Sequence, residues 1–285
     1  MYRLLNVDGR AALEDGGRWY DVASLSGEPA LADPMVAVSR TSELHALAER
    51  CGSVEPGGTL EDVRLGPPVP DPRQVFGIGL NYRDHAGESG MDPPPAPLTF
   101  TKFPSCIVGP FDDVPLSGAM VDWEAELVVA IGTTTTAAPV DEAWGAVAGL
   151  MLGQAVSDRA VQLTGRPAQF CLGKSFAAYG PTGPALVSVD SFEDPDDIGL
   201  WCEVAGERMQ DSRSRHLIFS VPILVAYLSS ITTLYPGDLI FTGTPSGVGM
   251  ARGRFLAEGE LVVTGAEVIG ELRNRCVAGR GPLAL

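Results

Sequence analysis

Basic residues are scarce in this chain, and so are cysteines and long apolar runs. Lys and Arg number 20 against 36 Asp and Glu, a formal net charge of −16 over 285 residues. No Lys/Arg-rich stretch offsets that balance. The footprint expected of a nucleic-acid binder is therefore missing, and an anionic membrane surface is disfavoured for the same reason. The apolar run VPILVAYL, at 221–228, falls far short of the roughly 20 residues that span a bilayer. The N-terminus MYRLLNVDGR has neither the long apolar core nor the small-residue cleavage pattern of a secretory leader. The five cysteines (51, 106, 171, 202 and 276) are odd in number, scattered, and lack a C-x-x-C pair. Reduced thiols in a cytoplasmic protein are expected, rather than a disulfide framework or a zinc site. Familiar catalytic signatures are missing too. There is no G-x-S-x-G elbow, no H-E-x-x-H and no G-K-[ST], and GIGLNY lacks the third glycine of a dinucleotide fingerprint.

What remains reads as a soluble, β-rich globular chain, with 45% apolar and 20% charged residues. Residues 1–65 are expected to form a small β-rich N-terminal domain. Its strand candidates YRLLNV and RWYDVASL are followed by a helix in TSELHALAERCG, with Thr41 as its N-cap. His45 in that helix reads as a solvated residue. GPPVPDP, at 66–72, carries four prolines in seven residues and is expected to be a stiff linker. From residue 73 to 285 the chain reads as one larger domain. Its strands are expected in QVFGIGL, LTFTKF, EAELVVAIG, GPALVSV, LWCEVAG, DLIFTG and ELVVTG. Helices are expected in DEAWGAVAGLM and in SVPILVAYLSSI, the latter capped by Ser220 with Pro222 in the tolerant first turn. Strands outnumber helices and do not alternate with them, which disfavours a doubly wound or barrel α/β fold. The fold class expected is α+β.

Three stretches carry possible chemistry. In VDWEAELVVAIG, Glu124 and Glu126 stand two apart before an apolar run. A strand would place both on one face, about 7 Å apart. They are either a solvated strand end or half of a hard-cation site. In GLNYRDHAGESG, His85 and Glu88 are three apart, as on one helical turn. They are either a surface turn or a general base whose tautomer is fixed by a carboxylate. In GKSFAAYGPTGPALV, Lys174 is placed beside Phe176 at a strand start, either as a snorkelling residue or as support for a developing oxyanion. The Gly-rich TLYPGDLIFTGTPSGVG by itself reads as turn chemistry.

Together and in this order, these stretches with FTKFPSCIVGP, LIFSVPILVAYL and the closing GELRNRC resemble the fumarylacetoacetate hydrolase family. The likeness covers about residues 73–276, and residues 1–65 look like the small N-terminal domain of its longer bacterial members. The resemblance implies a mixed β-sandwich roll, a homodimer, bound Mg²⁺ or Mn²⁺, and a small oxo-acid or β-diketo acid as substrate. The implied reaction is C–C hydrolysis, decarboxylation or isomerisation through an enolate. It also implies roles: Glu124 and Glu126 as metal ligands, His85 and Glu88 as a catalytic dyad with Lys174, and Arg159, Gln162, Thr244 and Tyr82 as substrate-binding residues. Two departures stand out. Where the family reads like N-D-V-S-A-R-D, this chain reads QAVSDRA, so that Ala155 occupies the third ligand position. Asp158, three residues on, is the one nearby substitute. In QDSRSRHLIF, Arg213, Arg215 and His216 replace a small polar run. Two catalytic readings therefore stand: a conventional metal-dependent enzyme, or a metal-weak or metal-independent relative performing isomerisation, dehydration or cyclisation in a specialised pathway.

Overall fold

The structure is a computed structural model and describes residues 1–88, 90 and 92–281. Ser89, beside the expected His85–Glu88 turn, and the last four residues of the expected 73–285 domain lie outside the described residues. Most of the strands belong to a 12-stranded mixed sheet, with a second sheet of five strands and a two-stranded pair. Helices are few and short. The longest among the described residues is Val221–Ile231. Among the described residues no helix is long and apolar enough to cross a membrane. The α+β, β-rich expectation describes this architecture.

The centre of the large sheet sets the rest. Gly180–Val187, Val147–Gln154, Ala125–Ile131 and Leu239–Phe241 lie side by side. Alternation along Ala125–Ile131 feeds two cores. Leu127, Val129 and Ile131 enter one cluster, and Val128 and Ala130 the other. A strand with an apolar layer on each face must be apolar throughout, which is why this one carries no polar residue after Glu126. Val75–Gly79 then adds in parallel to Leu239–Phe241, and Leu98–Thr101 closes that edge.

Residues 140–154 depart from expectation. DEAWGAVAGLM is not an α-helix. Val140–Ala146 is a 3₁₀ turn, and Val147–Gln154 is a fully buried strand. Its glycines permit the close pairing. A Cβ on Gly149 would stand 2.4 Å from the carbonyl oxygen of Val187, and one on Gly153 would stand 2.5 Å from the Val128 side chain. The caps differ as well. Arg40, not Thr41, is the N-cap of Thr41–Ala48, and Ser220 occupies its N-cap position without a side-chain hydrogen bond. Lys174 caps the C-terminus of the short helix Phe170–Gly173, ahead of the strand beginning at Gly180.

The N-terminal strands are not detached from the rest. Arg3–Val7 pairs antiparallel with Gly180–Val187, matching Leu4 with Leu186, so one ladder runs across the proline-rich connector. The five-stranded sheet lies against these central strands, its Leu261–Ala266 and Gly270–Ala278 touching Val147–Gln154. The pair Val121–Asp122 and Ser157–Asp158 brings the segment before Glu124 against the segment after Ala155. That juxtaposition builds the site.

Candidate active site

Glu124 sits at the mouth of Ala125–Ile131, and Lys174 and Arg159 close on it from two directions. Lys174 Nζ donates to Glu124 Oε2 at 2.6 Å and to Ser157 Oγ at 2.8 Å. Arg159 Nη2 stands 2.8 Å from Glu124 Oε1 and 2.7 Å from Asp122 Oδ2. The rest of the guanidinium is also used. Its Nε donates to Asp122 Oδ2 at 2.8 Å and its Nη1 to Gln162 Oε1 at 2.8 Å. All of these residues are buried. Burial alone would raise the pKa of Glu124, but the charges of Lys174 and Arg159 outweigh it and hold the carboxyl down at about 2. Burial pushes the Lys174 ammonium down, opposed by the charge of Glu124.

Glu126 behaves in the opposite way. It is buried without a cation of its own among the described residues, and its Oε2 accepts the Gly243 N–H at 2.6 Å. Burial, and then the charge of Glu124, push it up to about 8. Two glutamates two residues apart therefore hold different protonation states near neutrality, because one has counter-ions and the other does not.

Two supporting residues went unassigned in the sequence. Asp122 Oδ1 accepts from Gly249 N at 2.6 Å and Oδ2 from Met250 N at 3.0 Å, which ties the Gly-rich loop to Arg159. Lys102 is fully buried and donates to the carbonyl oxygens of Lys174 at 2.5 Å and Tyr179 at 3.0 Å. It fixes the turn that aims Lys174. The one available signal for Lys102 was a lysine inside the apolar stretch LTFTKF.

A cavity of 140 Å³ opens onto this cluster. Its polar lining is His85, Glu124, Arg159, Gln162, Lys174 and Thr244. His85 stands on the short helix Arg83–Glu88, with Nδ1 3.3 Å from Glu88 Oε2. Glu88 also accepts the Gly247 N–H at 3.0 Å, and Asp84 accepts from Ser246 Oγ at 3.1 Å, so this helix is latched to the Gly-rich loop. Thr244 Oγ1 donates to the Ala125 carbonyl and receives Gln210 Nε2, both at 2.8 Å, which orients the loop from below. Glu126 and Tyr82 are not on the cavity wall. Tyr82 is fully buried in the apolar core, and its hydroxyl has no hydrogen-bond partner among the described residues. Arg213 and Arg215 point away from the cavity, to Asp197 and Glu267. That departure in sequence therefore leaves the cavity lining unaltered. A larger open groove of 520 Å³, between residues 94–99 and Val221–Ile231, holds no acid, lysine, arginine or histidine. The smaller cavity carries the ionisable cluster around Glu124.

The residues do not fit a hard-cation centre at Glu124 and Glu126. Both oxygens of Glu124 already hold cations. Ala155, at the third position, is apolar and buried, and its N–H is bonded to the Glu124 carbonyl at 2.9 Å. Asp158 does not substitute. It caps the helix Arg159–Gln162 through Val161 N, and Ser117 Oγ donates to its Oδ2 at 2.5 Å. Its carboxylate thus faces Ser117 and Tyr179 rather than Glu124. Among the described residues no three His, Cys, Asp or Glu side chains stand together as a metal site.

Residues 74–277 match the family described as fumarylacetoacetate (FAA) hydrolase C-terminal. The chain belongs to the fumarylacetoacetate hydrolase family. It is 38% identical over 256 residues to a mitochondrial oxaloacetate tautomerase of Bos taurus, covering 88% of this chain and 82% of the relative. The fumarylacetoacetate hydrolase of Exiguobacterium antarcticum superposes with a TM-score of 0.83 at 31% identity, over 98% of this chain and 100% of that one. A maleylpyruvate hydrolase of Sphingobium, solved with manganese(II) and pyruvate, superposes with a TM-score of 0.82 at 25% identity over the same shares. The family thus contains hydrolases and tautomerases of oxo-acids and at least one manganese-bound member. The ligand-poor QAVSDRA segment sets this member apart from the pattern its resemblance implied.

Proposed function

We propose that this protein is a metal-independent proton-transfer enzyme that interconverts keto and enol forms, or shifts a double bond, in a small enolisable oxo compound. The observation carrying this reading is the double ion pair on Glu124. Lys174 and Arg159 occupy the carboxylate that a cation would need, and Ala155 supplies no replacement. The identity to an oxaloacetate tautomerase supports a reaction that only moves protons.

His85 is the proton carrier. Glu88 receives its Nδ1–H, so the lone pair of Nε2 is free toward the cavity. A C–H proton next to the carbonyl passes to Nε2. The C–H electron pair becomes a C=C bond, and the carbonyl π pair moves onto oxygen. That oxygen is stabilised by the remaining N–H of the Lys174 ammonium, whose other two bonds go to Glu124 and Ser157. Return of a proton from His85 to oxygen completes the step without water or metal.

The test is turnover of β-dicarbonyl compounds in chelator against added Mg²⁺. Equal rates are expected, with His85→Ala slower by about 10²–10⁴-fold. A strict Mg²⁺ requirement would overturn the reading.

A further inference from the structure

The cation balance of the cavity points to a substrate class. Four of the five Arg159 N–H groups end on Asp122, Glu124 or Gln162, and its charge is matched by the two carboxylates. Lys174 spends its charge on Glu124. Among the described residues no third lysine or arginine lines the cavity. An entering carboxylate would meet two cations already neutralised by two carboxylates, and its own desolvation would go uncompensated.

The unused polar groups are neutral or single. Lys174 retains one N–H, Arg159 one N–H on Nη1, His85 its Nε2, and Gln162 its amide nitrogen, because the Gln162 oxygen is taken by Arg159. The remaining wall is apolar, including Leu80, Phe100, Leu163, Phe170, Val248 and Met250. Phe100 packs against Lys174 with its ring centroid 5.3 Å from Nζ. At the mouth, Leu163 and Met250 are 48% and 44% exposed.

We infer that the cavity takes an uncharged β-dicarbonyl compound with an apolar substituent, not a keto-diacid. One carbonyl oxygen sits on Lys174 and Gln162, the acidic C–H faces His85, and the substituent lies along Phe100, Leu163 and Phe170. This assignment rests on the proton-transfer reading for its chemistry but makes a separate claim about charge.

The experiment compares benzoylacetone with oxaloacetate, in chelator, following enol absorbance for kcat/KM and calorimetry for binding. Benzoylacetone is expected to be favoured by about tenfold or more, since an uncompensated charge is a repulsive element against the acid. Equal or reversed preference in turnover overturns the assignment even if proton transfer stands. Should neither compound turn over, the proton-transfer reading fails and binding decides the substrate class. Tighter binding of benzoylacetone by about tenfold upholds it, and the lack of that preference overturns it. A second variant, Leu163→Arg, places an unpaired cation at the exposed mouth. It is expected to shift the preference toward oxaloacetate by about tenfold. An unchanged ratio shows that charge does not set the selectivity and overturns the assignment.

Discussion

Arg159 and Arg213 each grip two carboxylates beside a strand end, yet they work in different media. Arg159 is 4% exposed, between Asp122 and Glu124, which are themselves buried. Arg213 is 33% exposed and Glu267 is 49% exposed, with Asp197 between Arg213 and Arg215. Each place has a carboxylate held below its ordinary pKa by the cations beside it. Asp197 and Glu267 are lowered by hydrogen bonds to Arg213, and Glu124 by Lys174 and Arg159 against its own burial. Water makes the difference. At the surface, a lost partner is replaced by solvent and screened by salt. In the cavity nothing replaces it, so each charge is obligatory and determines what else can enter.

The comparison is most exposed at Arg159. Arg159→Met leaves two buried carboxylates short of a counter-ion, and chemical denaturation is expected to show a loss of about 3–5 kcal/mol. A loss as small as that of a surface pair would mean that water reaches the cluster. Ala155→Asp probes the same place from the other side. It adds a third carboxylate that the two cations cannot match, with an expected cost of about 3 kcal/mol. Part of that loss is regained as Mg²⁺ is added, and calorimetry should detect binding that the parent lacks. If Mg²⁺ neither binds nor restores stability, Ala155 is not the missing ligand position.

Glu126 sharpens the comparison through pH. Its pKa rises from 4.5 to about 8 on folding, so the folded state holds a proton that the unfolded chain has released. Its favourable contribution is therefore full below pH 4.5 and is lost as pH climbs toward 8. The slope is about 1.4 kcal/mol per pH unit. Glu124 runs the other way. Its pKa is depressed to about 2, so its contribution is present above its unfolded value and is lost in acid. Glu126→Gln mimics the protonated form and should flatten the stability curve across that neutral range. An unchanged profile would mean that Glu126 is ionised in the folded protein. The smallest effect is expected for Arg213→Ala, a minor shift in melting temperature that vanishes in about 1 M salt, where the screening length is about 3 Å. A shift that persists in salt would place Arg213 in the first class rather than the second.

Much of the site was legible because its parts are local. The His85–Glu88 spacing fits one helical turn, and the turn is there. The lack of an acid at Ala155 is plain in QAVSDRA. Asp158 shows the limit. Its distance along the chain from Ala155 left its direction open, and pairing with Val121 together with capping of Arg159–Gln162 turned it toward Ser117. Tyr82, implied as a substrate contact, is carried behind the wall by its bridge to Leu217. Residues 147–151, the apolar end of DEAWGAVAGLM, read as helix because short apolar runs have no decisive period. Strand neighbours on both sides settled them.

The sequence by itself determined the family, the β-rich class, the order of the chemical segments and the missing carboxylate. Each of these is a property of residue identity and short spacing. Tertiary structure alone decided which glutamate is charged. The partners of Glu124 come from 35 and 50 residues away, whereas Glu126, two residues along, has no cation beside it among the described residues and accepts from the backbone of Gly243. Spacing along a strand fixes the direction in which a side chain points. The charge it carries there depends on which counter-ions the fold delivers to it, and that information lies in contacts between distant segments.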